Sequence, residues 1–203
     1  IIGALPYLLR KRAWLRYIIM PQQTPVGGIW VTQEITADRW KTAEVCRQLK
    51  EQLDSLKLAY YYQQYLPGSL CVNAMKALGF TAKERITYRV EDLSNLDNVI
   101  ASFSKNKRRQ LQKALSLNAE RNMDIEDFYR FHCQCLASRK RKISYSREFL
   151  LVLERKAKRA GQCEILSICN ADGEVYAAAF LVWDKNYMYY LIPAYEPTHG
   201  DTG

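Results

Sequence analysis

The last seventeen residues, YMYYLIPAYEPTHGDTG, carry the strongest chemical signal in the sequence. An aromatic-rich strand pattern reaches Pro193, which has no backbone N–H to donate to a sheet, and continues into a glycine-containing loop. A loop of this kind that opens a helix presents free backbone N–H groups at the positive end of the helix dipole, where phosphate binds. The segment therefore predicts a site for a pyrophosphate-bearing ligand at the end of a strand.

Only two histidines are available as proton-transfer groups. His132 lies on the apolar face of a predicted helix, which favours a hydrogen-bonded core residue. His199 lies in the glycine-containing loop close to a strand end, where functional side chains gather, and an ordinary surface histidine fits the same position.

The cysteines give no pattern of a metal or redox site. None of the six belongs to a C-x-x-C pair, and Cys133 and Cys135 are two residues apart in a helical pattern, so their side chains diverge. With two histidines in the chain, a zinc site is not expected. We expect reduced, buried thiols, no bound metal and a cytoplasmic protein.

Cations are concentrated in three stretches and give the chain a net charge of +9. Residues 105–113 (KNKRRQLQK) hold five cations and no acid, residues 139–142 (RKRK) hold four, and residues 155–159 hold four more. Solvated helix faces explain each stretch taken alone. Together they favour a joint anion-binding face for an RNA backbone or a phosphorylated ligand.

The second half of the chain predicts three helices followed by three strands. The helices begin at the N-caps Ser104, Asp124 and Ser146, the second ends near Ser138, and the third ends at Gly161. Strands are predicted over 163–169, 174–183 and 187–192, and the turns that join them are rich in Asp, Gly and Asn. This order predicts an antiparallel meander behind a helical layer.

The first half mixes helices and strands. A β-hairpin is predicted from 1–9 and 14–20 with Arg10-Lys11-Arg12 as its turn, and residues 37–56 form a helix with Trp40 on the inner face. An aromatic strand over 57–66, a Ser69-capped helix to Leu78 and an alternating strand over 80–90 follow. The predicted fold class is α/β or α+β with a mixed sheet.

Three segments resemble the FemABX-type branch of the GNAT acyltransferase superfamily, which is related to the peptidoglycan aminoacyltransferases. ALPYLLRKRAWLRYIIMPQQTPVGGIW is similar to that group's strand, basic turn and P-x-x-x-Q-x-x-G loop, and FSKNKRRQLQKAL to its Ser-x-Asn-x-Arg-Arg helix start. VYAAAFLVWDKNYMYYLIPAYEPTHGDTG resembles its central hairpin and the start of its acyl-donor loop. The resemblance implies a GNAT-like first half over 1–100 and the front of a second half over 101–203.

The same resemblance implies transfer of an acyl or aminoacyl group from acyl-CoA or aminoacyl-tRNA, as co-substrate, to an amine-bearing acceptor. It assigns donor binding to the last strand and loop, at Leu191, Ala194, Gly200, Thr202 and Gly203. It assigns anion or substrate binding to the basic helix start, at Ser104, Asn106, Arg108 and Arg109. The nearest groups for proton transfer are Tyr189, Tyr195 and His199.

Two other functions remain open on the sequence. The basic helices favour an RNA-binding module, and the loose match to the GNAT loop (Pro197, Gly200 and Thr202 at its motif positions) favours a catalytically silent scaffold. The sequence has no run of about 18 apolar residues, so no transmembrane helix is predicted. Because the chain starts without Met and stops in a glycine-containing loop, we expect a fragment of a longer protein.

Overall fold

The computed structural model describes residues 1–115 and 117–196. Its contacts divide the chain into two compact units, residues 1–87 and residues 88–203. Each unit mixes helices and strands, so the mixed α/β class predicted from the sequence is confirmed. Within the described residues, no helix is long and apolar enough to cross a membrane.

The first unit contains two small sheets and three helices. Its elements in chain order are β1 (Gly3–Ala4), β2 (Leu8–Arg12), β3 (Leu15–Ile19), β4 (Trp30–Val31), α1 (Gln33–Thr36), α2 (Arg39–Ser55), β5 (Tyr60–Tyr61) and α3 (Leu70–Ala77). Strands β1 and β4 pair antiparallel, β2 and β3 form an antiparallel hairpin, and β5 adds to β3 in parallel.

The core of the first unit lies between this hairpin and the helices α2 and α3. Its most buried members are apolar side chains and two thiols: Ile18, Ile29, Cys46, Leu53, Cys71 and Met75. Helix α2 starts at Asp38, whose carboxylate accepts hydrogen bonds from the backbone N–H groups of Trp40 and Lys41 at 2.8 and 3.2 Å. This N-cap satisfies two of the donors that a helix start leaves free.

The second unit is a four-stranded antiparallel sheet with helices on one face. Its elements are α4 (Leu96–Ser102), α5 (Lys105–Ala114), β6 (Asn118–Arg121), α6 (Ile125–Ser138), α7 (Arg147–Arg159), β7 (Cys163–Cys169), β8 (Val175–Trp183) and β9 (Met188–Tyr195). The strand order is β6-β7-β8-β9. Phe128 of α6, Leu150 of α7 and Phe180 of β8 are fully buried between the helices and the sheet.

The three predicted N-caps of the second unit are confirmed. Side-chain oxygens of Ser104, Asp124 and Ser146 accept hydrogen bonds from backbone N–H groups at the starts of α5, α6 and α7. The predicted meander over β7, β8 and β9 is also confirmed, and β9 extends three residues beyond the predicted end, to Tyr195. Helices α1 and α4 and strand β6 were not predicted from the sequence. Each is short and has no periodic pattern long enough to detect.

Several predictions for the first half were wrong. The strand expected over 57–66 is only Tyr60–Tyr61, and Ser69 precedes α3 without a side-chain capping hydrogen bond. Arg10, Lys11 and Arg12 belong to strand β2, and the turn is Ala13-Trp14, since Arg12 pairs with Leu15. Trp40 is 73% exposed, because it lies in the first turn of α2 with the Arg39 guanidinium 4.9 Å from its ring centre. Residues 80–90 form no strand although their pattern alternates. Ile86 and Tyr88 are 89% and 96% exposed, and alternation without a partner strand cannot fix a strand.

Candidate functional site

Strand β9 forms an edge of the sheet in the second unit. It pairs with β8 through residues such as Ala179 with Pro193 and Ala177 with Tyr195, and no other described strand lies on its far side. The register shifts by one residue opposite Phe180 and Leu181, so Leu191 is an extra residue in β9. Such a bulge bends the strand and changes which residues face the core.

The direction of the backbone groups of β9 follows from two hydrogen bonds. Asp184 N–H donates to the Tyr187 carbonyl at 2.9 Å, and Glu196 N–H donates to the Tyr176 carbonyl at 3.0 Å. Because antiparallel pairs alternate between hydrogen-bonded and non-hydrogen-bonded positions, the in-between residues direct their backbone groups away from β8. These outward residues are Met188, Tyr190, Pro193 and Tyr195.

Pro193 exposes a backbone acceptor and no backbone donor at this edge. Its carbonyl faces outward, and it has no N–H that would be left without a partner there. Its side chain is exposed on the same face of the sheet as those of Tyr190 and Tyr195. The edge therefore offers acceptor and donor groups beside an aromatic surface.

Arg139, the residue that ends helix α6, lies at the same edge. Its guanidinium donates a 2.8 Å hydrogen bond to the Tyr195 carbonyl and is 3.7 Å from the centre of the Tyr195 ring. Both contacts use the planar, delocalised charge of arginine. Sequence reasoning counted Arg139 only as one of four cations in 139–142, because its spacing to Tyr195 is not visible in the sequence.

A buried polar pair joins α6 to the connection that precedes α7. His132 Nδ1 and the Tyr145 hydroxyl are 2.7 Å apart, and His132 is 8% exposed. Burial lowers the pKa of His132, and the charge of Arg139 lowers it further. The imidazole is therefore neutral at pH 7, which agrees with the core role expected for His132.

Cys135 lies one helical turn from His132 and is 1% exposed. Burial raises the pKa of its thiol to about 11, and the charge of Glu196 adds to this effect. At neutral pH the thiol is protonated and is a poor nucleophile. It fills space at the α6–β9 contact and is not suited to covalent catalysis.

The residues expected to bind an acyl donor differ in their surroundings. Leu191 is the half-buried bulge residue, whereas Ala194 is 3% exposed and pairs with Ala178, so its backbone groups face β8. Gly200, Thr202 and Gly203 lie outside the described residues. The described part of the expected donor site is thus the outer edge of β9.

Two of the candidate proton-transfer groups, Tyr189 and Tyr195, lie on opposite faces of the sheet. Tyr189 is half-buried, and burial raises the pKa of its phenol, followed by the charges of Asp184 and Tyr187. Tyr195 is 49% exposed on the opposite face of the sheet, under Arg139. His199 lies outside the described residues.

Helix α5 holds the expected anion-binding residues. Ser104 Oγ accepts a 3.3 Å hydrogen bond from Lys107 N–H, and Asn106 and Arg109 are exposed. Arg108 has a different environment, since its guanidinium donates to the carbonyls of Ala101 and Phe103 at 2.7 and 2.9 Å. These carbonyls belong to the end of α4, so Arg108 joins two helices.

The described residues contain no group of three or more His, Cys, Asp and Glu side chains that could hold a metal ion. All six cysteines are free in the structure, and four of them are buried. The described groups at the β9 edge are backbone amides, phenols and the Arg139 guanidinium.

Comparison with known proteins identifies the fold around this edge. The family model of the acetyltransferase (GNAT) domain matches residues 101–203, just over half of the chain. A crystal structure of FemX matches with a TM-score of 0.63 and 14% sequence identity, covering 97% of this chain and 68% of FemX. A search of the curated proteins found no match. The fold is that of the FemABX-like branch, and the chain belongs to the GNAT acetyltransferase family.

Proposed function

We propose that the protein transfers an acyl group from acyl-CoA to an amine, and that the outer edge of β9 binds the acyl donor. The observation that carries this proposal is the unpaired edge at Pro193, placed directly before the segment that follows Glu196. An extended molecule that carries amides can add to such an edge as a further strand does. The pantetheine arm of coenzyme A is extended and carries two amides.

The polarity of the edge suits such an arm. The outward carbonyl of Pro193 can accept an amide N–H, and the outward N–H of Tyr190 can donate to an amide carbonyl. Since the Tyr195 carbonyl already accepts from Arg139, the arm pairs with β9 on the N-terminal side of Tyr195. We assign phosphate binding to Gly200, Thr202 and Gly203, which follow β9 in the chain.

The transfer step needs only proton donors and acceptors around the thioester. The neutral amine nitrogen attacks the thioester carbonyl, a C–N bond forms, the C–S bond breaks, the amine loses a proton and the leaving thiolate gains one. A phenol suits the last role, because it is protonated at neutral pH. We assign this role to Tyr195 or Tyr189, which lie on the strand that binds the donor, and the role of proton acceptor to His199.

The test is calorimetric titration of the protein with acetyl-CoA and with S-acetylpantetheine, which lacks the nucleotide. We expect both to bind, with acetyl-CoA tighter because its phosphates add charge-assisted contacts. Gly200→Trp should weaken acetyl-CoA alone. Lys185→Trp, in the exposed turn at the other end of β9, is the matched control and should bind both ligands normally.

A second candidate donor, aminoacyl-tRNA, is favoured by the exposed cations of α5. Lys105, Lys107 and Arg109 lie on a helix that has no acidic residue and no buried residue. If RNA is the donor, its affinity falls steeply with salt and Arg109→Glu weakens it. If tRNA binds and no acyl-CoA binds, aminoacyl-tRNA is the donor. Failure of both donors would leave a non-catalytic GNAT scaffold.

We also propose that residues 1–100 correspond to a first GNAT-like half and residues 101–203 to the front of a second, as the resemblance implies. Expression of residues 101–203 alone tests this division, because a separate folding unit should unfold cooperatively by itself.

A further inference from the structure

The hairpin formed by β2 and β3 ends in an exposed apolar tip. Its two-residue turn is Ala13-Trp14, and the side chain of Trp14 is 87% exposed. Leu15, which follows in β3, is 45% exposed. Neither residue belongs to the core of this unit, so the exposure of two apolar residues at one tip calls for a partner.

Cations surround this tip on both faces of the hairpin. Leu9 and its partner Ile18 pack into the core, and two residues farther along the same face the strands carry Lys11 and its partner Arg16. The opposite face carries Arg10 and Arg12, since side chains alternate along a strand. All four cations are exposed, so they form a collar directly behind the tip.

No acidic side chain among the described residues balances the charges of the collar. Residues 1–33 contain these four cations and no acidic residue. Among the described residues, none of the four takes part in an ion pair, and Lys11 lies directly opposite Arg16 in the register. Like charges placed opposite each other weaken a strand pair, and an external anionic surface removes this cost.

We propose that the β2–β3 hairpin is a binding element for the surface of an anionic lipid bilayer. In this arrangement, Trp14 and Leu15 enter the headgroup region, where indole rings are favoured, and the collar contacts lipid phosphates. The order of the residues favours lipid over nucleic acid, because the apolar side chains form the tip and the cations lie behind them. A single-stranded nucleic acid requires aromatic side chains interleaved with cations along a groove.

Sedimentation with lipid vesicles tests this proposal. The full chain is mixed with vesicles of phosphatidylglycerol and phosphatidylcholine, or of phosphatidylcholine alone, and the bound fraction is measured. We expect binding to the anionic vesicles only. The variant Trp14→Ala and the double variant Arg10→Glu/Lys11→Glu should each weaken this binding, the double variant by at least about tenfold.

Two control variants change the same residue types elsewhere. Trp40→Ala removes another exposed tryptophan, and Lys76→Glu/Lys83→Glu reverses two other exposed cations of the first unit. Both should keep vesicle binding within about twofold of the unchanged protein, since surface substitutions away from the contact are nearly neutral. Circular dichroism of every variant establishes that the fold is retained.

Three results would overturn the proposal. They are failure of the unchanged protein to sediment with anionic vesicles, equal binding by Trp14→Ala, and equal losses in the hairpin and control variants. Titration with a fluorescent single-stranded RNA supplies the remaining comparison. If RNA binds through Trp14 and the vesicles do not bind, the hairpin is a nucleic-acid element.

Discussion

The guanidinium of Arg139 covers both the carbonyl and the ring of Tyr195, at 2.8 Å and 3.7 Å. Through this contact the last turn of α6 holds the final residue of β9 in place. Tyr195 directly precedes Glu196, after which the segment proposed to bind phosphate begins, and Arg139 lies 56 positions before Tyr195 in the chain. Arg139 is thus a positioning residue for the proposed donor site.

Replacing Arg139 by Ala should destabilise the second unit by about 1 kcal/mol, because a charge-assisted hydrogen bond and a cation–π contact are lost together. Urea unfolding measures this change. Arg141→Ala, an exposed neighbour, is the control and should change stability by less than about 0.5 kcal/mol. Equal effects of the two substitutions would show that the Tyr195 contact contributes no stability.

Tyr145→Phe should cost about 1–2 kcal/mol, because it leaves Nδ1 of the buried His132 without its 2.7 Å partner. The cost should appear as a lower urea midpoint with an unchanged slope. Tyr7→Phe, at a 44% exposed tyrosine, controls for the general loss of a hydroxyl and should be nearly neutral. A stable Tyr145→Phe variant would mean that His132 finds another partner.

Stability should fall as the pH drops below about 6.5, the ordinary pKa of histidine. Burial keeps the pKa of folded His132 below this value, so in this range the unfolded chain binds more protons than the folded protein. Protons therefore favour unfolding between the lowered pKa and pH 6.5. His132→Gln should flatten this part of the profile, whereas an unchanged slope would assign it to other groups.

Arg108 and Arg109 are adjacent in α5, but charge reversal should affect stability at Arg108 and anion binding at Arg109. Arg108→Glu removes two hydrogen bonds to the end of α4 and should cost about 1 kcal/mol. Arg109→Glu changes an exposed side chain and should leave the melting temperature nearly unchanged while it weakens anion binding. Equal melting temperatures for the two variants would argue against the helix-joining role of Arg108.

Limited digestion with trypsin should cut first at Lys83, Arg85 or Arg89. These residues lie in an exposed stretch without helix or strand, and proteases need such a segment to reach the backbone. Mass spectrometry of the first fragments checks this expectation. First cuts within α7, which holds Arg155 and Lys156, would contradict it.

Helices α6 and α7 and strands β7, β8 and β9 could be predicted because local signals and packing agree there. Asp124 and Ser146 cap helices whose apolar faces contain Phe128 and Leu150, and the β7–β8 and β8–β9 turns carry the expected residues. In residues 80–90 a strong alternating pattern has no partner strand, so the local signal misleads. Strand pairing depends on distant residues, which periodicity cannot reveal.

The proposed donor site could be predicted only in part for the same reason. The Pro193 break and the resemblance of the last strand to a GNAT donor strand are visible in the sequence. The bulge at Leu191, the outward groups of β9 and the Arg139–Tyr195 contact depend on register and on the end of α6. These features become visible only when the elements are placed in three dimensions.

Residue-resolved amide hydrogen exchange, measured by NMR with and without saturating acetyl-CoA, tests the proposed donor site most directly. The outward amide of Tyr190 on β9 should exchange more slowly when acetyl-CoA binds, because it becomes hydrogen-bonded to the pantetheine arm. Amides of β6, the other edge strand of the same sheet, should exchange at unchanged rates. Binding of acetyl-CoA that leaves β9 exchange unchanged, or that protects β6 instead, would contradict donor binding at the β9 edge.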